Sequence, residues 1–397
     1  MLSPVGIPSE RSRGSPGHLK GPGSATEPAT PKGRRSEETV EERTPRRPRI
    51  ADVAREAGVS KTAVSFAFNS PDRLAPETAS RIRDVADSLG YRPHPVARML
   101  TQRQTHTIGV LTPQALSVIF SNPFFGAFSE GVALAAEQAG YALHFISPLH
   151  GSLARAMGRA TVDGVVAIGL SASHPEVEQI RAAGVPLVMV DSSALPDQPG
   201  VEINDEGGAR AAADHLLGLG HRDLLVVGVE PPAPDLESEP DGVTARRMRG
   251  YVAALAARGL ELPENAVVVA PASIEGGIAA MRRAWENGLR PTGVLAMSDA
   301  MAIGVLRAAR ELGLRVPEDI SVVGFDDIDI SQHTNPPLTT VHQPIRQKGE
   351  SAVRVLLSVV ERRDLPPEQL RLETRLIIRG STGPAPRRRQ EVDRARS

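Results

Sequence analysis

From Ile50 onward the apolar residues fall into a helical rhythm, and past Thr107 they regroup into short runs separated by amphipathic stretches. Ile50, Val53, Ala54 and Ala57 share one helix face, and Gly58 ends the run. Ser60 is placed to cap a second helix, Lys61 to Phe68, whose Ala63, Val64, Ala67 and Phe68 point back at the first. Pro76 and Glu77 open a third helix, with Ile82, Val85, Ala86 and Leu89 as its inner face and Gly90 as its stop. Two short helices joined by a glycine-containing turn form a helix-turn-helix, which lays its second helix in the DNA major groove. A small helical bundle with no nucleic-acid role is the alternative, but the outer side of the second helix is polar and basic.

The remainder alternates strands and helices. THTIGVLTP, YALHFIS, VDGVVAIGL, VPLVMVD, LLVVGVE, GVLAMSD and ISVVGFDD read as strands, and FFGAFSEGVALAAEQAG, EGGARAAADHLLGLG and AMAIGVLRAARELGL as helices between them. This alternation implies parallel sheets with helices on both faces, and about nine such units exceed one sheet, which predicts two lobes. The expected fold is therefore an all-α helix-turn-helix headpiece followed by a two-lobed α/β domain. The expected boundaries are a disordered extension over 1–45, the headpiece over 46–93, a linker over 94–106, the body over 107–382 and a disordered tail over 383–397. The extension is rich in Ser, Pro, Gly, Arg and Glu; it either adds weak non-specific DNA affinity or reflects a start codon upstream of the native one. EPPAPDLESEPDGVTA reads as a long solvated acidic loop.

The 397 residues contain no cysteine, which excludes disulfides and thiolate sites. Nothing at the start resembles a signal peptide and no run approaches a transmembrane span, so a cytoplasmic, nucleoid-associated protein is expected. The net charge of −1 conceals an asymmetry: residues 46–106 carry eleven Lys/Arg against six Asp/Glu, and the body is acidic. A basic headpiece on an acidic body suits phosphate contacts at one end only. No nucleophile elbow, zinc spacing, Walker loop or dinucleotide fingerprint occurs, so neither catalysis nor a cofactor is expected.

IADVAREAGVSKTAVSFAFN, the third helix and GYRPHPVARML together closely resemble the DNA-binding headpiece of the lactose-repressor (LacI/GalR) family, and the resemblance extends over residues 49–382. It implies a homodimeric transcriptional regulator, most simply a repressor, that binds near-palindromic operator DNA under control of a small effector. The body would resemble periplasmic sugar-binding proteins. Lys61 and Thr62 match the pair that sets operator preference, and Ser65 and Phe66 also face outward. Ser60, Asn69, Arg73 and Thr78 match phosphate-contacting positions, and Arg49 and Ile50 complete the expected DNA surface. Val96, Ala97 and Leu100 match a hinge helix that folds on the operator and pushes a leucine into the minor groove. Many members carry arginine where this chain has Phe66, which either meets a thymine methyl or folds inward onto Phe68.

Parallel sheets bind ligands at the carboxyl ends of their strands, and two lobes face those ends toward each other. Asp191, Ser298, Asp299, Asp326 and Asp327 stand at such ends, Arg247 opens a helix and Phe124–Phe125 open the first helix of the body. By resemblance, Arg247 and Asp326 grip the effector, and Asp191, Ser298, Phe124 and Phe125 line its pocket, with Phe125 equally placed to be core. Asp299 reads as a helix cap, Asp327 as structural, and Gln343 as either hinge or ligand contact. Ala272 replaces an aromatic wall found in some relatives. The effector is expected to be a sugar, with a nucleoside second; whether it releases or secures DNA is open. SPLHGSLARAMGRATVDG is shorter than the family's segment, and the tail lacks the leucine heptads of a tetramer-forming helix.

Overall fold

Between the first two helices the backbone turns at Gly58 with φ +65°, a left-handed conformation that a side chain disfavours. This turn joins α1 (Ile50–Glu56) to α2 (Lys61–Asn69), and α3 (Pro76–Ser88) packs across both. The computed structural model describes residues 47–93, 104–148, 151–172, 174–192, 198–230, 242–361 and 368–386. Val96, Ala97, Leu100, the N-terminal extension and most of the acidic loop lie outside them. The chain divides into two units, one ending at Arg92 and the other beginning at Pro93.

The headpiece core is Val53, Ala54, Ala57, Val64, Ala67, Ile82, Ala86 and Tyr91, with Ala63, Phe68 and Val85 packed at its edge. The Ser60 hydroxyl accepts from the Ala63 amide at 3.1 Å, as a cap should. Arg83 donates from Nε and Nη2 to the Ala67 carbonyl, each at 3.2 Å, and so holds α3 to the end of α2. Leu89 departs from expectation: it is 37% exposed, because the helix has already ended at Ser88 and its side chain leaves the inner face.

The body contains two six-stranded sheets. In the first lobe β1 (Thr107–Leu111), β2 (Ala142–Ile146), β3 (Gly164–Ile168), β4 (Leu187–Val190), β5 (Gly200–Ile203) and β11 (Gln369–Leu372) lie in the order β11-β5-β4-β3-β1-β2, all parallel. In the second, β6 (Leu224–Val229), β7 (Val267–Ala270), β8 (Gly293–Ala296), β9 (Ser321–Asp326), β10 (Thr339–His342) and β12 (Arg375–Ile377) follow the order β12-β10-β9-β8-β6-β7, where only β12 runs antiparallel. β3 and β9 are buried at every position, as strands covered on both faces must be.

The first lobe carries α4 (Leu116–Ser121), α5 (Pro123–Gln138), α6 (Leu153–Met157) and α7 (Pro175–Ala182). The second carries α8 (Asp205–Gly218), α9 (Val243–Ala256), α10 (Ile274–Glu286) and α11 (Asp299–Glu311). Among its described residues the shortened segment has one helix, the five residues of α6. After β10 the chain returns to the first lobe as α12 (Ile345–Glu361), which packs on α5, β3, β4 and β5. The chain thus crosses between lobes at Asn204, at Gln343–Pro344 and at Glu373–Thr374.

Ordered contacts continue past residue 382, where the tail was expected to begin. Gly383 donates to Ser321 Oγ at 3.0 Å, its carbonyl lies 3.0 Å from His221 Nε2, and Ala385 donates to the Leu219 carbonyl at 2.9 Å. The buried His221 ring is satisfied on both sides, with Thr292 Oγ1 3.1 Å from Nδ1 and the Gly383 carbonyl at Nε2, so this segment completes its hydrogen bonding. Burial also pushes the His221 and His215 pKa values down, so both rings are kept neutral.

α5 and α12 approach through glycines that meet the opposite backbone: a Cβ on Gly131 would stand 2.0 Å from the Arg346 carbonyl oxygen, and one on Gly349 would stand 2.4 Å from that of Phe128. Gly131→Ala is therefore expected to destabilise the body by about 1–3 kcal/mol through forced separation of the helices. Urea denaturation checks this; an unchanged midpoint would mean the helices part without cost.

Candidate functional site

Two regions carry the expected contacts, one on each unit. On the headpiece, Lys61, Thr62, Ser60, Arg49 and Arg73 are exposed, while Ser65, Phe66, Asn69 and Thr78 are half-buried. Ile50 packs at the edge of the headpiece core with part of its surface open. Phe66 is absent from that core. Its ring carries the Arg73 guanidinium 5.3 Å from the centroid, while Phe68 meets Tyr91 edge-on at 6.0 Å. Phe66 thus lies beside Arg73 rather than on Phe68, whose ring meets Tyr91 instead. Asn69 donates from Nδ2 to Ser65 Oγ at 3.3 Å, and its buried Oδ1 has no partner.

In the body a cleft of about 1070 Å³ opens between the lobes. The segment following β1 supplies Gln114, Ser121, Asn122 and Phe125; the turns after β6 and β7 supply Glu230, Ala272, Ser273 and Glu275; Ile328 and Ile330 follow β9. Strand carboxyl ends thus face one another across the space. Asn122 Nδ2 reaches the Ala272 carbonyl at 3.4 Å, a hydrogen bond from lobe to lobe. Of the seven expected effector residues, Phe125 alone lines this cleft. It stacks edge-on against Phe124 at 5.2 Å, while Arg247, Ser298, Asp326 and Gln343 are buried behind it with the half-buried Asp191 in a polar layer.

That layer has two parts. Asp205 is fully buried, with Arg246 Nη2 at 2.8 Å from Oδ2 and Arg247 Nε at 2.8 Å from Oδ1. Arg247 also donates to the Met297 carbonyl at 2.5 Å and lies over the Phe325 ring at 3.6 Å. The second part begins at Asp191, whose φ of +59° turns its carboxylate toward α12. Lys348 Nζ donates to both Asp191 oxygens at 2.7 Å and to Gln343 Oε1 at 2.6 Å; Gln343 Nε2 donates to Asp326 Oδ1 at 2.5 Å.

Ser298, not Asp299, caps α11, accepting from the Met301 amide at 3.3 Å. Asp299 sits one residue inside the helix, fully buried, and accepts from the Ile328 amide at 3.0 Å, Ser331 Oγ at 2.6 Å and Thr340 Oγ1 at 2.5 Å. It ties α11 to the turn after β9 and to β10, which is why it cannot serve as the cap. Asp327 pairs with His342 at 2.9 Å and Arg379 at 2.6 Å, a structural role.

Sequence reasoning missed Lys348, Asp205 and Arg246. Lys348 follows Ile345 by three positions and precedes Ala352 by four, so it stands on the inner stripe of α12. A lysine in an apolar stripe is the signal that could have found it.

The family models match in both units: "Bacterial regulatory proteins, lacI family" over residues 49–94 and "Periplasmic binding protein-like domain" over residues 213–382. The HTH-type transcriptional regulator CelR of Thermobifida fusca is 32% identical over 345 residues, covering 85% of this chain and 98% of that protein. The chain belongs to the lacI family of bacterial regulatory proteins. A solved CelR–cellobiose complex matches with a TM-score of 0.63 at 30% identity over 84% of this chain and 100% of that one. The lac repressor dimer bound to operator and the anti-inducer ONPF matches with a TM-score of 0.70 at 26% identity over 85% of this chain and 100% of that one. The lacI-family chain is thus a DNA-binding transcriptional regulator with a helix-turn-helix headpiece and a two-lobed α/β body.

Burial raises the Asp326 pKa to about 7, against the lowering effect of Arg247 and with further elevation from Asp299. The folded protein then holds a proton that the unfolded chain releases near pH 4, so stability falls as pH rises from about 4 to 7 and is level above. Asp326→Asn removes this decline. Chemical denaturation of both proteins between pH 4 and 8 checks it, and parallel curves would exclude the protonated Asp326.

Proposed function

We propose that this chain is a homodimeric repressor whose operator affinity is set by a neutral, sugar-like effector bound between the lobes. The observation that carries the reading is a helix-turn-helix with an exposed basic and polar face joined in one chain to a body with a large interlobe cleft. The lac repressor and CelR relatives support it, since one is solved as a dimer on operator and the other with cellobiose. In this reading Lys61, Thr62, Ser65 and Phe66 meet base edges, and Arg49, Ile50, Ser60, Asn69, Arg73 and Thr78 set register on the backbone. The hinge positions Val96, Ala97 and Leu100 order on the operator, with Leu100 wedged into the minor groove. The protein works at the nucleoid, and among the described residues no helix is long and apolar enough to cross a membrane.

Phe124, Phe125, Asp191, Arg247, Ser298, Asp326 and Gln343 form the effector site and the layer supporting it. Among the described residues, the ionisable ones at the cleft wall are Glu230 and Glu275, with no lysine or arginine lining it. Such a wall repels carboxylates and phosphates and leaves hydroxyl-rich neutral ligands to bond Gln114, Asn122 and Ser273. The volume stands at the upper end of the roughly 300–1,000 Å³ usual for ligand pockets, room for more than one sugar ring.

Selection of bound sequences from random duplex DNA is expected to return a near-palindrome. On that duplex Arg73→Ala should weaken binding about equally across sequences and lower the salt slope by about one. Lys61→Ala should instead relax preference at one position in each half-site. Recovery of no consensus, with or without added sugars, would end the regulator reading.

Calorimetry with cellobiose and its carboxylate-bearing counterpart tests the effector class. The neutral sugar is expected to bind more tightly, and Glu230→Gln with Glu275→Gln should narrow the gap. Tighter binding of the acid to the unaltered protein would reverse the assignment.

A further inference from the structure

Lys348 is the one residue of α12 whose charge is wholly enclosed: it is 0% exposed and stands among Ile345, Ala352, Val355 and other buried groups of that helix. An ammonium has three donors and no acceptor, and all three are committed, two to Asp191 and one to Gln343. The Phe124 ring lies 5.2 Å from Nζ and adds a fourth favourable neighbour. These partners belong to different parts of the fold. Asp191 ends β4 in the first lobe, and Gln343 lies on the second crossover.

The consequence concerns the Gln343 amide. Its two ends look alike in size but not in chemistry, and an ammonium can face only the oxygen. With Oε1 turned to Lys348, Nε2 must point the other way, where it meets Asp326 Oδ1 at 2.5 Å. The Gln343 backbone amide adds a bond to the Asp326 carbonyl at 3.3 Å. A directional chain therefore runs from β4 of the first lobe through Lys348 and Gln343 to the end of β9 in the second.

We propose that Lys348 is a positioning residue of the buried layer behind the cleft: it fixes the Gln343 amide so that Asp326, at the carboxyl end of β9, is held by a donor. Its regulatory meaning rests on the reading of the cleft as the effector site, but the positioning itself does not. Asp326 is faced by Arg247 from α9, Tyr251 from the same helix, Asp299 from α11, Lys348 from α12 and its neighbour Asp327. Among these, Lys348 alone reaches it through an amide whose direction it controls.

The test follows the Asp326 carboxyl in the full chain by carbon-13 NMR of labelled aspartate, with the resonance assigned by its loss in Asp326→Asn. No DNA or sugar is present, so failure here is separate from failure of the operator selection. Lys348→Met alone leaves Asp191 buried without its partner and is prone to unfold. Asp191→Asn with Lys348→Met removes both charges and keeps the volume. This double variant is expected to raise the Asp326 midpoint by about one pH unit, the scale on which a nearby opposite charge acts. Gln343→Leu, which cuts the amide link and leaves Lys348 with Asp191, should raise it too. An unchanged midpoint in the double variant would overturn the proposal. A rise in the double variant with none in Gln343→Leu would also overturn it, since Lys348 would then act as a bare charge through space.

Discussion

The chain passes between its two sheets three times, and those passages govern what the body can do. Asn204 stands at the first and gathers the third: its backbone amide donates to the Leu372 carbonyl at 2.9 Å, its carbonyl accepts from Thr374 Oγ1 at 3.0 Å, and its side-chain oxygen accepts from Arg371 at 2.8 Å. With the crossings joined along one side, the opposite side is free to part, and the strand carboxyl ends open onto a shared cleft. Motion about such a joint is a small change of dihedral angles in few residues. The position of the cleft follows from topology, and its selectivity from the side chains that face it.

Buried charge at the joint has a different use from stability. A largely enclosed pair such as Lys348–Asp191 roughly repays its own desolvation and adds little to the folding free energy. Removing one partner, however, strands the other, so the arrangement permits few alternatives. Asp205 with Arg246 and Arg247 follows the same logic on the second lobe, where Phe325 also closes over the Arg247 guanidinium. These two assemblies define where the strand ends sit. Each pair lies within one lobe, so an effector that changes the lobe angle leaves them intact, and its differential affinity for the two arrangements is what sets the response.

Much of this was legible in the chain. Helix periodicity and the glycine punctuation located the headpiece helices, because short helices there depend on local caps: Ser60 caps α2, and Gly58 makes the turn before it. Strand alternation foretold two parallel sheets for the same reason. The strand-end acids were likewise recognisable as polar groups without a core purpose, yet their partners were not. Asp191 finds Lys348 at a separation of 157 residues and Asp205 finds Arg247 at 42, pairings that only the folded topology creates. The sequence also could not divide cleft from layer: Glu230 reaches the cavity from the segment after β6 and Glu275 from the first turn of α10, placements that no local pattern encodes. The end of the body was misplaced because GPAP reads as a linker, whereas the buried His221 ring draws Gly383 onto the surface of the second lobe.

On the headpiece, Phe66 bears on how the second helix would read DNA in the proposed function. An arginine there would present paired donors to guanine, but a phenyl ring offers only apolar contact. The ring is also occupied on one side by Arg73, whose guanidinium lies 5.3 Å from its centroid. That contact holds a cation expected on the phosphates close to a side chain expected on the bases. Register and base readout are thereby joined through one cation–π pair on a partly exposed surface, a contact worth about 0.5–1 kcal/mol. In the proposed reading, discrimination at a base facing Phe66 comes from a thymine methyl and from the shape of the duplex, with Lys61, Thr62 and Ser65 as the hydrogen-bonding readers of the half-site.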